Sequence, residues 1–164
     1  METIQQLMES VRGSMTLPRL RFFEPNEEFW SVLEDVQNEF DIDMFIDCGT
    51  GNGDLPAEAI DRNIKMAGID IIKREGNNFS DVQIIPAHKI PSNPSVWRMV
   101  CRPNHSGWVE PLLEQSLQED SGFIYVGLNR NIHIDLDDVL ELYKFDMFTS
   151  VGEDNEIMLV FYPQ

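Results

Sequence analysis

Basic residues are scarce in this 164-residue chain: 12 Lys+Arg stand against 29 Asp+Glu, a formal net charge of −17. Gripping nucleic acid by phosphate neutralisation needs clustered Lys and Arg, so direct nucleic-acid binding is not expected. The same argument speaks against an anionic membrane surface. Long apolar runs are missing too. The longest, Ile157 to Tyr162, is far below the ~20 residues of a membrane-spanning helix. The stretch Met1 to Arg12 carries Glu2 and Glu9 and no basic start before an apolar run, so it does not read as a secretory signal. Cysteine is limited to Cys48 and Cys101, too few for a disulfide framework. The histidines are His88, His105 and His133, and no His/Cys spacing suits zinc, so no metal is expected. These absences describe a soluble, acidic, cytoplasmic protein.

Against them, 42% of the residues are hydrophobic, enough for a real core. The length suits one domain spanning residues 1–164, with a helical extension over 1–41 and an α/β core over 43–164. The charge is unevenly spread. Residues 1–41 carry nine acids and three bases, a net −6. Residues 42–103 are close to neutral at −1, and residues 104–164 carry −10. A solvated acidic shell explains this pattern, and so does accommodation of an anionic ligand or a basic partner.

Two helices are predicted first. Ile4, Leu7, Met8 and Val11 share one helical face, and Pro25 opens a second helix with Phe29, Val32, Leu33, Val36 and Phe40 facing inward. These helices could cap the sheet or mediate a homodimer. Strands are predicted at 44–47, 68–72, 82–85, 96–101 and 123–128, with helices over 56–65 and 109–120. Asp135 is the expected N-cap of a further helix with Val139, Leu140 and Tyr143 inward. Strands at 147–151 and 157–162 close the chain as an antiparallel hairpin, and the unbroken apolar run of the last one predicts burial on both faces. The expected fold class is α/β: a doubly wound, mostly parallel sheet with a C-terminal antiparallel hairpin, preceded by two N-terminal helices.

The most specific local signal is Asp47-Cys48-Gly49-Thr50-Gly51-Asn52-Gly53, placed between a strand and a helix. Alternate glycines permit positive φ and close approach of a ligand to backbone. The dinucleotide pattern Gly-x-Gly-x-x-Gly fails, because Asp54 occupies its third glycine position. A phosphate-gripping loop fails as well, since no Gly-Lys-Ser or Gly-Lys-Thr occurs.

The pattern Asp47-x-Gly49-x-Gly51-x-Gly53 instead resembles motif I of the class I S-adenosylmethionine-dependent methyltransferases, which have a Rossmann-like fold. Asp70 in Gly68-Ile69-Asp70 is similar to the acid that ends the second strand in that family and holds the ribose hydroxyls. The closing strand–loop–strand is similar to the family's antiparallel strands six and seven. The resemblance covers about residues 43–164 in element order. It implies S-adenosyl-L-methionine as cofactor, bound by Asp47, Cys48, Gly49, Thr50, Gly51, Asn52, Gly53 and Asp70, and methyl transfer to an acceptor that remains unidentified, with a basic protein as one candidate.

The pattern departs from the family in two places. Only eleven residues separate Asp70 from Val82, and Pro86, Pro91 and Pro94 rule out an ordinary helix between Ile85 and Val96. Both gaps fall on the side where the family holds adenine. After the fourth strand, Cys101-Arg102-Pro103-Asn104-His105 lacks the family's Asp/Asn-Pro-Pro-Tyr/Phe. His105 is the candidate catalytic base by analogy, because an unperturbed imidazole titrates near neutrality. Arg102 could hold an anionic substrate or pair with one of the many acids. Cys48 and Cys101, at the ends of strands expected to be neighbours, read as buried thiols before they read as a pair. Trp97 and Trp108 read as core or pocket wall. The alternative function is a catalytically inactive methyltransferase-like fold that serves as an acidic protein-interaction or regulatory module.

Overall fold

A computed structural model describes residues 23–71, 82–103, 106–130, 132, 134–135, 137 and 141–164. The expected helix over 2–12 lies outside these residues, as do His105, His133, Val139, Leu140 and most of the connection after Asp70. Within them, seven strands are β1 (Met44–Cys48), β2 (Met66–Asp70), β3 (Gln83–Ile84), β4 (Val96–Cys101), β5 (Phe123–Leu128), β6 (Phe145–Phe148) and β7 (Glu156–Phe161). They form one sheet in the order β3-β2-β1-β4-β5-β7-β6. The pairs from β3 to β5 are parallel, whereas β7 pairs antiparallel with both β5 and β6. This is the expected α/β class, with the hairpin inserted so that its second strand joins β5.

Among the described residues, the helices that cover the two faces are α1 (Glu27–Phe40), α2 (Asp54–Asp61) and α3 (Val109–Gln118). Helix α1 begins at Asn26, whose Oδ1 accepts the Phe29 N–H at 3.3 Å, with Glu27 and Glu28 favourably placed in the first turn. Pro25, expected to open the helix, therefore sits two residues before its first helical position. The apolar faces of α1 and α2 meet Phe45, Trp97, Met99, Ile124 and Met158. Val109, Leu112 and Leu113 of α3 meet the opposite side, formed by Ile46, Val100, Phe123, Tyr125 and Leu159. Alternation along each strand thus feeds two cores, and each large apolar side chain buried adds about 1.5–3 kcal/mol. Every residue of β7 is buried, as its apolar run predicts.

Some boundaries differ from expectation. Strand β2 starts at Met66, two residues early, because Phe45 of β1 pairs with Met66. Helix α2 spans 54–61 in place of the expected 56–65, and Pro56 still falls in its first turn, where no intrahelical N–H is needed. Strand β6 ends at Phe148, well before Val151, for a tertiary reason. Asn26 N–H donates to Val151 O at 3.0 Å, Asn26 Nδ2 donates to Ser150 O at 2.7 Å and Glu153 N–H donates to Glu24 O at 3.0 Å. The hairpin connection leaves the sheet to pair with the segment that enters α1.

Candidate cofactor site

The strand order turns outward in both directions from β1 and β4, so the crevice at their carboxyl ends is the place where such sheets bind ligands. From β1 the chain enters the glycine loop, where Gly49, Gly51 and Gly53 adopt φ of 77°, 64° and 80°. A side chain at any of these would pay a left-handed penalty, which explains the alternate spacing. The loop is stitched to the end of β2. Gly49 and Thr50 N–H both donate to Ile69 O at 2.9 Å, and Gly51 N–H donates to Asp70 Oδ2 at 2.9 Å. Thr50 Oγ1 donates to Asp47 Oδ2 at 2.7 Å, and Gly53 N–H donates to Thr50 O at 3.2 Å before α2 begins. Four loop N–H groups are thus used inside the fold. A phosphate-binding loop would instead present them to its ligand.

A cavity of about 750 Å³ opens beside this loop, within the size range of small-molecule sites. Cys48, Gly49 and Asp70 line it, Trp108 and Leu112 form another wall, and Ile85 to His88 form a third. Asp47, Thr50, Gly51, Asn52 and Gly53 stand in the loop without lining the cavity. Asp47 and Asn52 are buried and build the loop from below. Asp70 is 8% exposed, and its Oδ1 also accepts the Ile71 N–H at 2.7 Å. All the expected cofactor residues are therefore brought to one turn, and three of them reach the cavity surface.

Burial, and then the Asp47 charge, push the Cys48 thiol far above the usual thiol range. Cys48 packs with the α3-side core and Cys101 against the other, so the two thiols lie on opposite faces and are not joined in a disulfide. Trp97 is a core residue, while the Trp108 ring is pocket wall: a Cβ on Gly49 would stand 3.8 Å from Trp108 Cη2. Arg102 also lines the cavity, at a φ of 50°, and its Nη1 donates to Asp154 Oδ2 at 3.0 Å. The acid-pairing reading of Arg102 is the one realised.

Two contributors have only weak sequence signals. Gly68 on β2 is required by close approach, since a Cβ there would lie 2.9 Å from Thr50 Cγ2 and 3.1 Å from Pro56 Cγ. Arg98, in the middle of apolar β4, is fully buried. It donates to Ala87 O at 3.3 Å, to Ser92 Oγ and Ser116 Oγ at 2.9 Å, to Glu119 Oε1 at 3.2 Å and to Ile90 O. Five contacts match the five N–H donors of a guanidinium, which offsets a desolvation cost of several kcal/mol. Burial alone would raise the Glu119 carboxyl. Hydrogen bonds from Gln115 and Ser92, together with the Arg98 charge, hold it below the usual carboxylate range. Among the described residues no group of three or more His, Cys, Asp and Glu could hold a metal, and no helix is long and apolar enough to cross a membrane.

No protein-family model matches the sequence, and no curated protein matches it. Solved structures do. A Pyrococcus horikoshii protein assigned as an RNA methyltransferase aligns over 98% of this chain and 97% of its own, with TM-score 0.54 and 13% identity. TrmK of M. capricolum, solved with S-adenosyl-homocysteine, aligns over 81% of this chain and 68% of its own, with TM-score 0.53 and 16% identity. The bifunctional kinase-methyltransferase WbdD gives TM-score 0.61 at 8% identity, over 84% of this chain and 39% of its own. At these identities the likeness is one of fold. The fold is that of the class I S-adenosylmethionine-dependent methyltransferases.

Proposed function

We propose that the chain binds S-adenosyl-L-methionine in the cavity beside the glycine loop and acts as a methyltransferase on a separate acceptor. The observation that carries this reading is the junction of Gly51 with Asp70 at the edge of a cavity of about 750 Å³. The residues fit the cofactor chemically. A loop whose N–H groups are consumed internally offers bare glycine surface and no anion grip, which suits a ligand without phosphate. Asp70 lines the cavity, so it brings a carboxylate acceptor to the place where vicinal hydroxyls would donate.

When bound, the sulfonium supplies a methyl group for in-line displacement by a nucleophile, and what the protein must add is chiefly positioning. Gly49 and Cys48 would form the floor under that end of the ligand, Asp70 would orient the sugar, and Trp108 would exclude water from one side. His105 is the proposed base; in sequence it lies between Pro103 and Gly107, both of which line the cavity. Titration calorimetry with S-adenosyl-homocysteine tests the reading: saturable binding that Gly51→Trp abolishes supports it, and no heat at millimolar ligand rejects it.

A second reading is a binding module without turnover, presenting its acidic flanks to a basic protein. The −10 carried by residues 104–164 favours it. Cofactor binding with no methyl transfer to any fraction of a methyl-deficient lysate would select this version.

A further inference from the structure

The wall formed by Ile85 to His88 lies on the crossover from β3 to β4, a kind of connection that usually carries a helix, yet here it has only one short 3-10 turn, Ala87–Lys89. Such a segment has little secondary structure of its own to fix it. Its backbone carbonyls show what does. Ala87 O and Ile90 O accept from Arg98, and His88 O accepts from Gln115 Nε2 at 2.9 Å. Gln115 also donates to Glu119 Oε1 at 2.8 Å, and Glu119 Oε2 accepts the Ser92 N–H at 2.6 Å. The turn is therefore latched at both ends to one network, centred on the buried Arg98, that joins β4 to α3.

Turning these carbonyls toward Arg98 and Gln115 has a chemical consequence. It leaves Ile85, Pro86 and Ala87 to line the cavity as an apolar surface. The wall is also continuous with the end of β2, since Ile85 N–H donates to Asp70 O at 2.9 Å. A ligand whose sugar reached Asp70 would lay its base against this wall. We infer that Arg98 is a positioning residue for the nucleobase: from outside the cavity it holds the Pro86–Ser92 turn in the place of a missing helix, so that a purine-sized ring finds a preformed apolar surface. This rests on the cofactor reading above and adds to it the element that selects the base.

Arg98→Lys keeps the charge but replaces a five-donor fork with an ammonium whose three donors share one nitrogen and cannot serve the five acceptors that the guanidinium holds. Three probes separate positioning from general stability. Calorimetry should show S-adenosyl-homocysteine and 5′-methylthioadenosine, which share the base, both binding roughly tenfold more weakly to Arg98→Lys. Hydrogen exchange should accelerate in peptides over residues 85–92 and stay unchanged in α1. Val36→Ala, a cavity in the α1 core chosen to lower the melting temperature comparably, should leave both affinities unchanged. If Arg98→Lys does not fold, Ser92→Ala, which removes one acceptor of the guanidinium, should show the same pattern with a smaller factor.

Weakening equal to that of Val36→Ala, or unchanged exchange over 85–92, overturns the positioning role while the cofactor reading stands. So does loss confined to S-adenosyl-homocysteine with methylthioadenosine unaffected. Absence of binding by the wild-type chain overturns both.

Discussion

The Gly51 N–H donates to the Asp70 carboxylate at 2.9 Å, joining two sites nineteen positions apart in the chain. The glycine loop and the acid that closes β2 are therefore one structural unit. Whatever moves Asp70 moves the loop.

Asp70→Ala should cost both stability and ligand binding. It strips the acceptor from the Gly51 and Ile71 N–H groups in a nearly buried position. Leaving such groups unsatisfied costs about 1–3 kcal/mol each at most, with water recovering part of it. Chemical denaturation should show a loss of that order, and calorimetry should show S-adenosyl-homocysteine binding abolished. Asp70→Asn, which keeps one acceptor oxygen but turns an NH2 toward the other N–H, should recover only part of the stability and little of the affinity. Equal affinity in Asp70→Asn and the wild type would remove Asp70 from the proposed site.

Gly68→Ala should disturb the site without touching the cavity. Its methyl would meet Thr50 Cγ2 at 2.9 Å and Pro56 Cγ at 3.1 Å, and both neighbours belong to the loop–helix junction. Overpacking of this kind typically costs about 1–3 kcal/mol. The thermal midpoint should fall, and ligand affinity should fall with it, because Thr50 also holds Asp47. Gly49→Ala makes the contrast. Its Cβ meets only the edge of Trp108 at 3.8 Å, so its cost is the left-handed backbone, about 1–2 kcal/mol, plus lost space on the cavity floor.

Cys48 should be inert in the folded protein although it lines the cavity. Burial and the neighbouring Asp47 charge both oppose the thiolate, which is the reactive form. Iodoacetamide at pH 8 followed by mass spectrometry should leave Cys48 unmodified until denaturant is added. Modification at the rate of a free thiol would show that the β1 terminus opens to solvent.

How legible these features are in the sequence depends on where their causes lie. Strands β4 and β5 match their expected bounds because Pro94, Pro103 and Gly122 punctuate them locally. The loop from Asp47 to Gly53 is legible for the same reason: positive φ at alternate residues leaves alternate glycines. The early end of β6 is not legible, since it depends on Asn26 capturing Ser150 O from 124 residues away. Nor is the Arg98 network, whose partner Glu119 is 21 positions distant. An arginine inside an apolar strand is a local hint of a buried partner, but nothing nearby names that partner. Gly68 reads locally as one more strand residue, and only the packing of Thr50 and Pro56 against β2 shows why a side chain is not tolerated.

Glu156 offers a test of electrostatics at the far rim of the same sheet end. Its side chain is fully buried, Oε1 accepts the Asp154 N–H at 2.9 Å, and Oε2 has no hydrogen-bond partner. Arg102 Nη1 stands 3.8 Å from Oε2, close enough for attraction and too far for a hydrogen bond. Burial raises the Glu156 carboxyl above its ordinary value; backbone hydrogen bonds and Arg102 oppose this only in part. The native state therefore holds the proton more tightly than the unfolded chain. Stability must fall as pH rises from the unfolded value, near 4.3, through the raised folded value, and stay lowered above it. Glu156→Gln removes the charge and keeps the oxygen that receives Asp154 N–H. It should raise the melting temperature at pH 7, and the gain should vanish as pH drops below about 4, where Glu156 is protonated in both states. A gain that is constant across this range would mean that packing, and not ionisation, separates the two proteins. Destabilisation at pH 7 would mean that the Arg102 attraction outweighs the cost of burial.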